Sequence, residues 1–207
     1  MKLLIATGIY PPDIGGPATY VNKLSVALVN YGLVSQIVTY SDKAGKEEID
    51  KIKIHRINRQ TNILVRYFKY FYRIFTLSKQ SDVVYVQGPV SEGVPAWLAC
   101  ILRRKKYVLK IVGDYAWEQA QQRFSVKDSL DDFQNKKYSW KVELIRFLEK
   151  KVAKGATKII VPSKYLKSIV KQWEVNEKKI EVVYNSFDHV ETTPHTKLDQ
   201  EKWIVSV

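Results

Sequence analysis

Leu3-Leu4-Ile5-Ala6-Thr7-Gly8-Ile9-Tyr10-Pro11-Pro12-Asp13-Ile14-Gly15-Gly16-Pro17-Ala18-Thr19-Tyr20 decides how the chain is read. Leu3 to Thr7 is a short, nearly continuous apolar run, as expected of a strand buried on both faces. Gly8 ends it, and helical periodicity begins at Ala18 and runs to Asn30. A strand feeding a helix through a glycine-rich turn is the opening unit of a parallel sheet. Gly16 is expected to cap this helix and Pro17 to be its first residue, where a missing N–H costs nothing. The amides of Ala18 and Thr19 are then expected to stay free at the positive end of the helix dipole. Gly15 and Gly16, lacking Cβ atoms, let an anion approach them closely. The turn reads equally well as a phosphate or carboxylate site and as a tight connection that binds nothing.

The same alternation continues along the chain. Ser35–Tyr40, Lys53–Ile57, Val83–Gln87, Tyr107–Val112, Lys158–Val161 and Lys179–Tyr184 read as strands. Leu64–Lys79, Gly93–Leu102, Ser139–Lys154 and Tyr165–Trp173 read as helices. Right-handed crossovers then give an α/β fold, a Rossmann-like doubly wound parallel sheet, over residues 1–187. Glu118–Lys137, polar and rich in Gln, Asp and Lys, is expected to be a long loop inserted before the next helix. Residues 188–202 read as a linker, and Trp203–Val207 as the first strand of a second domain.

With 207 residues, 45% of them hydrophobic and 27% charged, the chain can bury one large core, and intrinsic disorder is excluded for most of it. Thirty-four Lys and Arg against 21 Asp and Glu leave a net charge of +13, which favours anionic partners. The basic residues are scattered and form no nucleic-acid module, so nucleic acid ranks low. Cys100 is the single cysteine, which excludes an intrachain disulfide and a cysteine zinc site. A reducing cytoplasm is the expected compartment. The apolar runs are too short for a signal peptide or a membrane span, so membrane attachment would be peripheral, on the inner face of the plasma membrane.

In an open parallel sheet, ligands bind beyond the carboxyl ends of the strands. Asp114, just past the fifth strand, is the leading candidate for acid/base work or for binding a sugar hydroxyl, although it can equally cap the following helix. Gln87, Ser163 and Asn185, with Ser186, follow other strands and complete a polar rim of turn or contact residues. The glycine spacing does not fit a dinucleotide fingerprint, and a Walker lysine is missing. His55, His189 and His195 form no zinc-protease motif, and no serine elbow occurs.

Leu64–Lys79 presents Leu64, Phe68, Phe71, Tyr72 and Phe75 on one helical face, with Arg66, Lys69 and Arg73 as a narrow basic strip opposite. The apolar arc is wider than packing on a sheet needs. Arg66, Lys69 and Arg73 are therefore the candidate membrane-surface residues, against the alternative of a deeply packed helix with a solvated basic edge.

Three stretches taken together resemble the amino-terminal half of family 4 retaining glycosyltransferases. They are Tyr10–Tyr20 with Leu24–Leu28, Gly113–Glu118, and Val161–Leu166 with Val182–Asp188. The resemblance implies one half of a GT-B fold, with the acceptor held by this lobe and a nucleotide-sugar donor by a second. It places Gly15 and Gly16 near the donor phosphates, and puts Asp114 at or beside the position of a histidine that often contacts the donor sugar. Tyr10, Gly15, Gly16, Gln87, Gly113, Ser163 and Asn185 make up the candidate substrate-binding set, with Asp114 as the candidate catalytic group. The family's donor-lobe Glu-x₇-Glu motif is not in the chain, so it is expected to be inactive alone. Asp-x-Asp is missing too, and the type needs no metal or other cofactor beyond the nucleotide-sugar co-substrate. A glycan or lipid-linked acceptor of the cell envelope is the expected partner. The alternative is a non-catalytic subunit that docks a split glycosyltransferase on a membrane.

Overall fold

In the computed structural model, which describes residues 1–185, the opening apolar run forms β1 (Lys2–Thr7) and the glycine turn leads into α1 (Gly16–Asn30). β1 alternates between two cores. Leu3 and Ile5 pack with Val21 of α1, whereas Leu4 and Ala6 join the cluster on the other face. Both sides are apolar because helices cover both, which is why the strand reads as a run and not as an alternation.

The remaining elements are β2 (Val34–Ser41), β3 (Gly45–Ile49), β4 (Ile52–Asn58), α2 (Ile63–Leu77), β5 (Val83–Gln87), α3 (Gly93–Arg103), β6 (Tyr107–Lys110), α4 (Tyr115–Phe124), α5 (Leu130–Asn135), α6 (Trp140–Gly155), β7 (Lys158–Val161), α7 (Lys164–Gln172) and β8 (Ile180–Val182). The strands form one sheet in the order β3-β4-β2-β1-β5-β6-β7-β8. Every neighbouring pair is parallel except β3 with β4. Side chains of α2, α3, α6 and α7 fill the cluster opposite α1. The doubly wound α/β class read from the sequence is the one observed.

Four details differ from the sequence reading. β3 was not expected: its five residues are all exposed and largely charged, and such an edge strand carries no hydrophobic pattern to detect. The expected loop at 118–137 contains the rest of α4 and all of α5, with caps at Asp114 and Ser129 and a cluster formed by Ala116, Ala120, Phe133 and Val142. At α1 the cap is Gly15, and Pro17 is the second helical residue. The Thr19 amide donates to the Gly15 carbonyl at 3.0 Å, leaving Gly16 and Ala18, and not Thr19, as the amides without an intrahelical acceptor.

The fourth detail concerns α2. Its buried residues are Tyr70 and Ile74, while Leu64, Val65, Phe68 and Tyr72 remain exposed. The Tyr70 hydroxyl selects this face: it donates to the carbonyls of Thr7, at the end of β1, and Val38, inside β2, 3.0 and 2.9 Å away. Arg66 does not belong to an outer basic strip. Its guanidinium donates to the Arg59 carbonyl at 2.8 Å and sits over the Tyr40 ring. Lys69 and Arg73 lie beside Phe68 and Tyr72 and not opposite them, and all four line one shallow basic groove with Lys46 and Arg56. Ser186, the linker over 188–202 and the strand start over 203–207 lie outside the described residues.

Candidate functional site

From β1 the chain crosses through α1 to β2 on one side, and from β5 through α3 to β6 on the other. The crossovers therefore diverge between β1 and β5, the switch point at which open parallel sheets leave a crevice. A cavity of about 300 Å³ lies there. Its walls include Gly8 beyond β1, Tyr40 of β2, Gln87 and Gly88 at the end of β5, Glu92 ahead of α3, and Tyr115 and Glu118 of α4.

Glu92 is the residue the sequence reading missed. Its carboxyl group is held by the Ser91 hydroxyl and by the backbone amides of Gly8 and Glu92 itself. Burial outweighs these bonds and pushes it up to about 7. The surrounding glycines follow from this carboxyl group. A Cβ on Gly88 would land on Glu92 Oε1, and Gly88 also has φ +119°, which disfavours any other residue. Glu118 repeats the arrangement on the opposite wall, where a Cβ on Gly113 would land on its Oε1. Burial, with the Asp114 charge second, raises Glu118 as well. A glutamate four or five residues after a strand-end glycine was the signal present in the sequence.

Of the residues chosen from sequence, Gln87 and Gly113 line the cavity together. Gly15 and Gly16 are not in its walls but border it through Pro17. Tyr10 is buried in the α1-side core, its hydroxyl donating to Asn22 Oδ1 at 3.0 Å. Ser163 caps α7 by accepting from the Leu166 amide. Asn185 accepts from Lys110 Nζ at 3.2 Å, and that ammonium lies 3.2 Å from the centre of the Tyr20 ring. Asp114 takes the cap geometry: Oδ1 accepts from the Trp117 amide and Oδ2 from Gln134 Nε2, both at 2.8 Å. Both oxygens are engaged within the fold, and the side chain does not line the cavity. Among the described residues, no three His, Cys, Asp or Glu side chains come together as a metal ion would require.

A doubly wound sheet with a crevice at its switch point is the architecture of one half of a GT-B fold, and solved structures of that kind superpose on it. The UDP-GlcNAc 2-epimerase of Methanocaldococcus jannaschii matches with a TM-score of 0.58 at 18% identity, covering 88% of this chain and 45% of that one. Anabaena HepE in complex with UDP and glucose matches with a TM-score of 0.59 at 16% identity, covering 91% of this chain and 45% of that one. A putative UDP-N-acetylglucosamine 2-epimerase from Listeria monocytogenes gives 0.58 at 16% identity, covering 86% and 44%. The chain thus spans less than half the length of each of these structures. No curated protein matches it in sequence. The profile described as Glycosyltransferase Family 4 matches residues 14–191, and the chain belongs to that family.

Proposed function

We propose that the chain forms the acceptor-side half of a retaining glycosyltransferase, which moves a sugar from a nucleotide-sugar to a hydroxyl of a glycan or lipid-linked acceptor. The observation that carries this reading is the cavity at the switch point. It is walled by the buried carboxyl group of Glu92 and bordered by the glycine turn at the head of α1. Structural neighbours bound to UDP with glucose, and to UDP-GlcNAc, support a nucleotide-sugar as co-substrate. Donor phosphates would meet the free amides at the α1 terminus, whose dipole favours negative charge. The nucleotide itself is assigned to a second lobe, and this half alone is expected not to turn over. Asp114, with both oxygens taken up by α4 and α5, acts as a positioning residue in this scheme.

A radiolabelled transfer assay with the two-lobed enzyme, over a panel of nucleotide-sugars and hydroxyl acceptors, tests the reading. Transfer with retained configuration at the anomeric carbon supports it, and transfer with inversion overturns the retaining assignment. Gly15→Val is expected to lower kcat/KM roughly tenfold or more by displacing the turn. Even a single Cβ there would lie 3.0 Å from Ile9 Cδ1. Unchanged kinetics would remove the turn from the donor site.

A specific observation also favours peripheral attachment to an anionic bilayer on the cytoplasmic side. α2 exposes Leu64, Phe68 and Tyr72 beside the charges of Lys69 and Arg73, and the adjoining α3 exposes Leu98, Ile101 and Leu102. Among the described residues no helix is long and apolar enough to cross a membrane. Apolar side chains flanked by cations suit the headgroup boundary, where each basic residue contributes about 1 kcal/mol. Reversing both charges, Lys69→Glu with Arg73→Glu, is expected to weaken cosedimentation with phosphatidylglycerol vesicles roughly tenfold or more. Sedimentation indistinguishable from that of the unaltered protein would refute the attachment.

A further inference from the structure

We propose that the basic groove between the β3–β4 hairpin and α2 docks the headgroup of a membrane lipid that ends in a phosphomonoester or diphosphate, with the lipid chain laid along the exposed apolar stripe of α2. This rests on the peripheral attachment read above and deepens it, from general attraction to an anionic bilayer into recognition of one headgroup chemistry.

The first observation is the charge of the groove. It encloses about 510 Å³, within the usual range of ligand sites, and its walls hold Lys46 of β3, Arg56 of β4, and Lys69 and Arg73 of α2, with no aspartate or glutamate among the described residues. Arg56 is already engaged by Glu47 and by the Pro11 carbonyl. Lys46, Lys69 and Arg73 therefore supply the field. Glu48, the other acid of β3, stands opposite Lys53 in the hairpin register and is not in the wall. Like charges gathered from two elements repel one another, and an anion between them removes that cost. A phosphodiester brings a single negative charge, whereas a monoester or diphosphate brings about two, with more terminal oxygens to accept from several donors at once.

His55 is the second observation. It lies opposite Lys46 across the β3–β4 ladder, is 8% exposed, and neither ring nitrogen has a hydrogen-bond partner among the described residues. Burial, and after it the positive charges of Arg73, Lys46 and Lys53, pushes the imidazole down to about 4. Two of the groove's three cations thus act on a side chain that stays neutral and offers them no counter-charge. That charge has to come from outside the fold. The third observation is continuity with an apolar surface. Leu64, Phe68 and Tyr72, each four residues from the next, are exposed along α2, and Phe68 and Tyr72 are themselves in the groove wall. A hydrocarbon chain leaving a phosphate in the groove meets this stripe at once. A free phosphate would leave the stripe bare, which favours a lipid as the source of the anion.

The test is flotation with phosphatidylcholine vesicles carrying either phosphatidic acid, a monoester, or phosphatidylglycerol, a diester, at matched surface potential. Phosphatidic acid is expected to bind roughly fivefold or more tighter. Lys46→Gln should abolish that preference, and Lys53→Gln, which deletes the same charge outside the groove wall, should keep it. The second readout is the His55 ring, titrated by NMR with a short-chain phosphatidic acid below its micelle concentration. An anion beside Arg73 and Lys46 relieves their action on the imidazole, so the His55 pKa should rise, and rise less with the phosphatidylglycerol counterpart. Equal binding to the two vesicles, or an unmoved His55, overturns the site and leaves the general attachment standing. Binding to neither vesicle removes the attachment and the site with it. Displacement from phosphatidic acid by an oligogalacturonate, at concentrations where inorganic pyrophosphate has no effect, would assign the groove to an acidic glycan and overturn the proposal. A monoester preference in an enzyme that transfers no sugar would support the site and remove the transferase reading.

Discussion

Gly93→Ala is expected to destabilise the fold by about 2–3 kcal/mol, a fall in Tm of roughly 5–10 °C for a chain of this size. Gly93 is the first residue of α3, and a Cβ on it would lie 2.6 Å from the Gly88 carbonyl oxygen and 3.3 Å from Val152 Cγ1 of α6. The nearer atom is backbone, so relief requires the whole turn between β5 and α3 to open. Alanine's better helix propensity recovers only about 1 kcal/mol. The same turn carries Gln87 and Glu92 into the cavity wall, so the variant should also lower transfer by the two-lobed enzyme. Gly16→Ala, at the head of α1, is the control. Nothing lies within 4 Å of a Cβ there, and stability should stay within about 0.5 kcal/mol. Urea unfolding of both variants decides the matter, and equal midpoints would show that the β5–α3 turn is not held as tightly as the geometry requires.

The contrast between these glycines shows where the sequence was legible. Each follows a strand and precedes a helix, and the pattern that places them there is plain: buried parallel strands read as apolar runs, and α1, α3, α6 and α7 fall within a few residues of their expected limits. Which glycine is crowded depends on what the fold brings against it. Glu92 comes against Gly88, and the Gly88 carbonyl against Gly93, through turns whose geometry no periodicity encodes. α2 failed for a related reason. Only part of its apolar arc is packed: Phe71 and Phe75 lie against the core while Leu64, Phe68 and Tyr72 stay exposed, because Tyr70 reaches the Thr7 and Val38 carbonyls with its hydroxyl, a contact that a hydrophobic pattern cannot weigh. α4 and α5 are polar outside and bury only a few side chains beneath α6, so composition alone made them look like a loop. Asp114 was legible as a strand-end carboxylate, but choosing between cap and acid/base work required seeing the three-residue reach to Trp117 and the approach of Gln134 from α5.

Glu149→Ala should have the other large effect, a loss of about 3–4 kcal/mol. Its carboxyl group is 1% exposed, and its two oxygens accept from the Tyr115 and Ala116 amides, each at 3.0 Å. With Asp114 accepting from Trp117, carboxyl groups from two elements take up the first three amides of α4. Alanine at 149 strands two buried donors, each costing about 1–3 kcal/mol. Asp114→Ala removes one cap bond and leaves Gln134 Nε2 with only its long bond to the Leu130 carbonyl, a loss nearer about 2 kcal/mol. Since both hold the same helix turn, the double variant should lose less than the sum of the two. The pH dependence separates this from simple cavity formation. Burial, with the Asp114 charge second, raises Glu149 well above the usual carboxylate range. Its proton is therefore bound more tightly in the folded state, and the linked stability is full below about pH 4.5 and is lost as pH rises through the folded value. The penalty of Glu149→Gln, which cannot titrate, should thus be larger at pH 5 than at pH 8. Because α4 carries Tyr115 and Glu118 into the cavity wall, loosening its first turn should lower transfer by the two-lobed enzyme even where the fold survives. A penalty that is flat with pH, with transfer unchanged, would mean that Glu149 fills space and does not anchor the site.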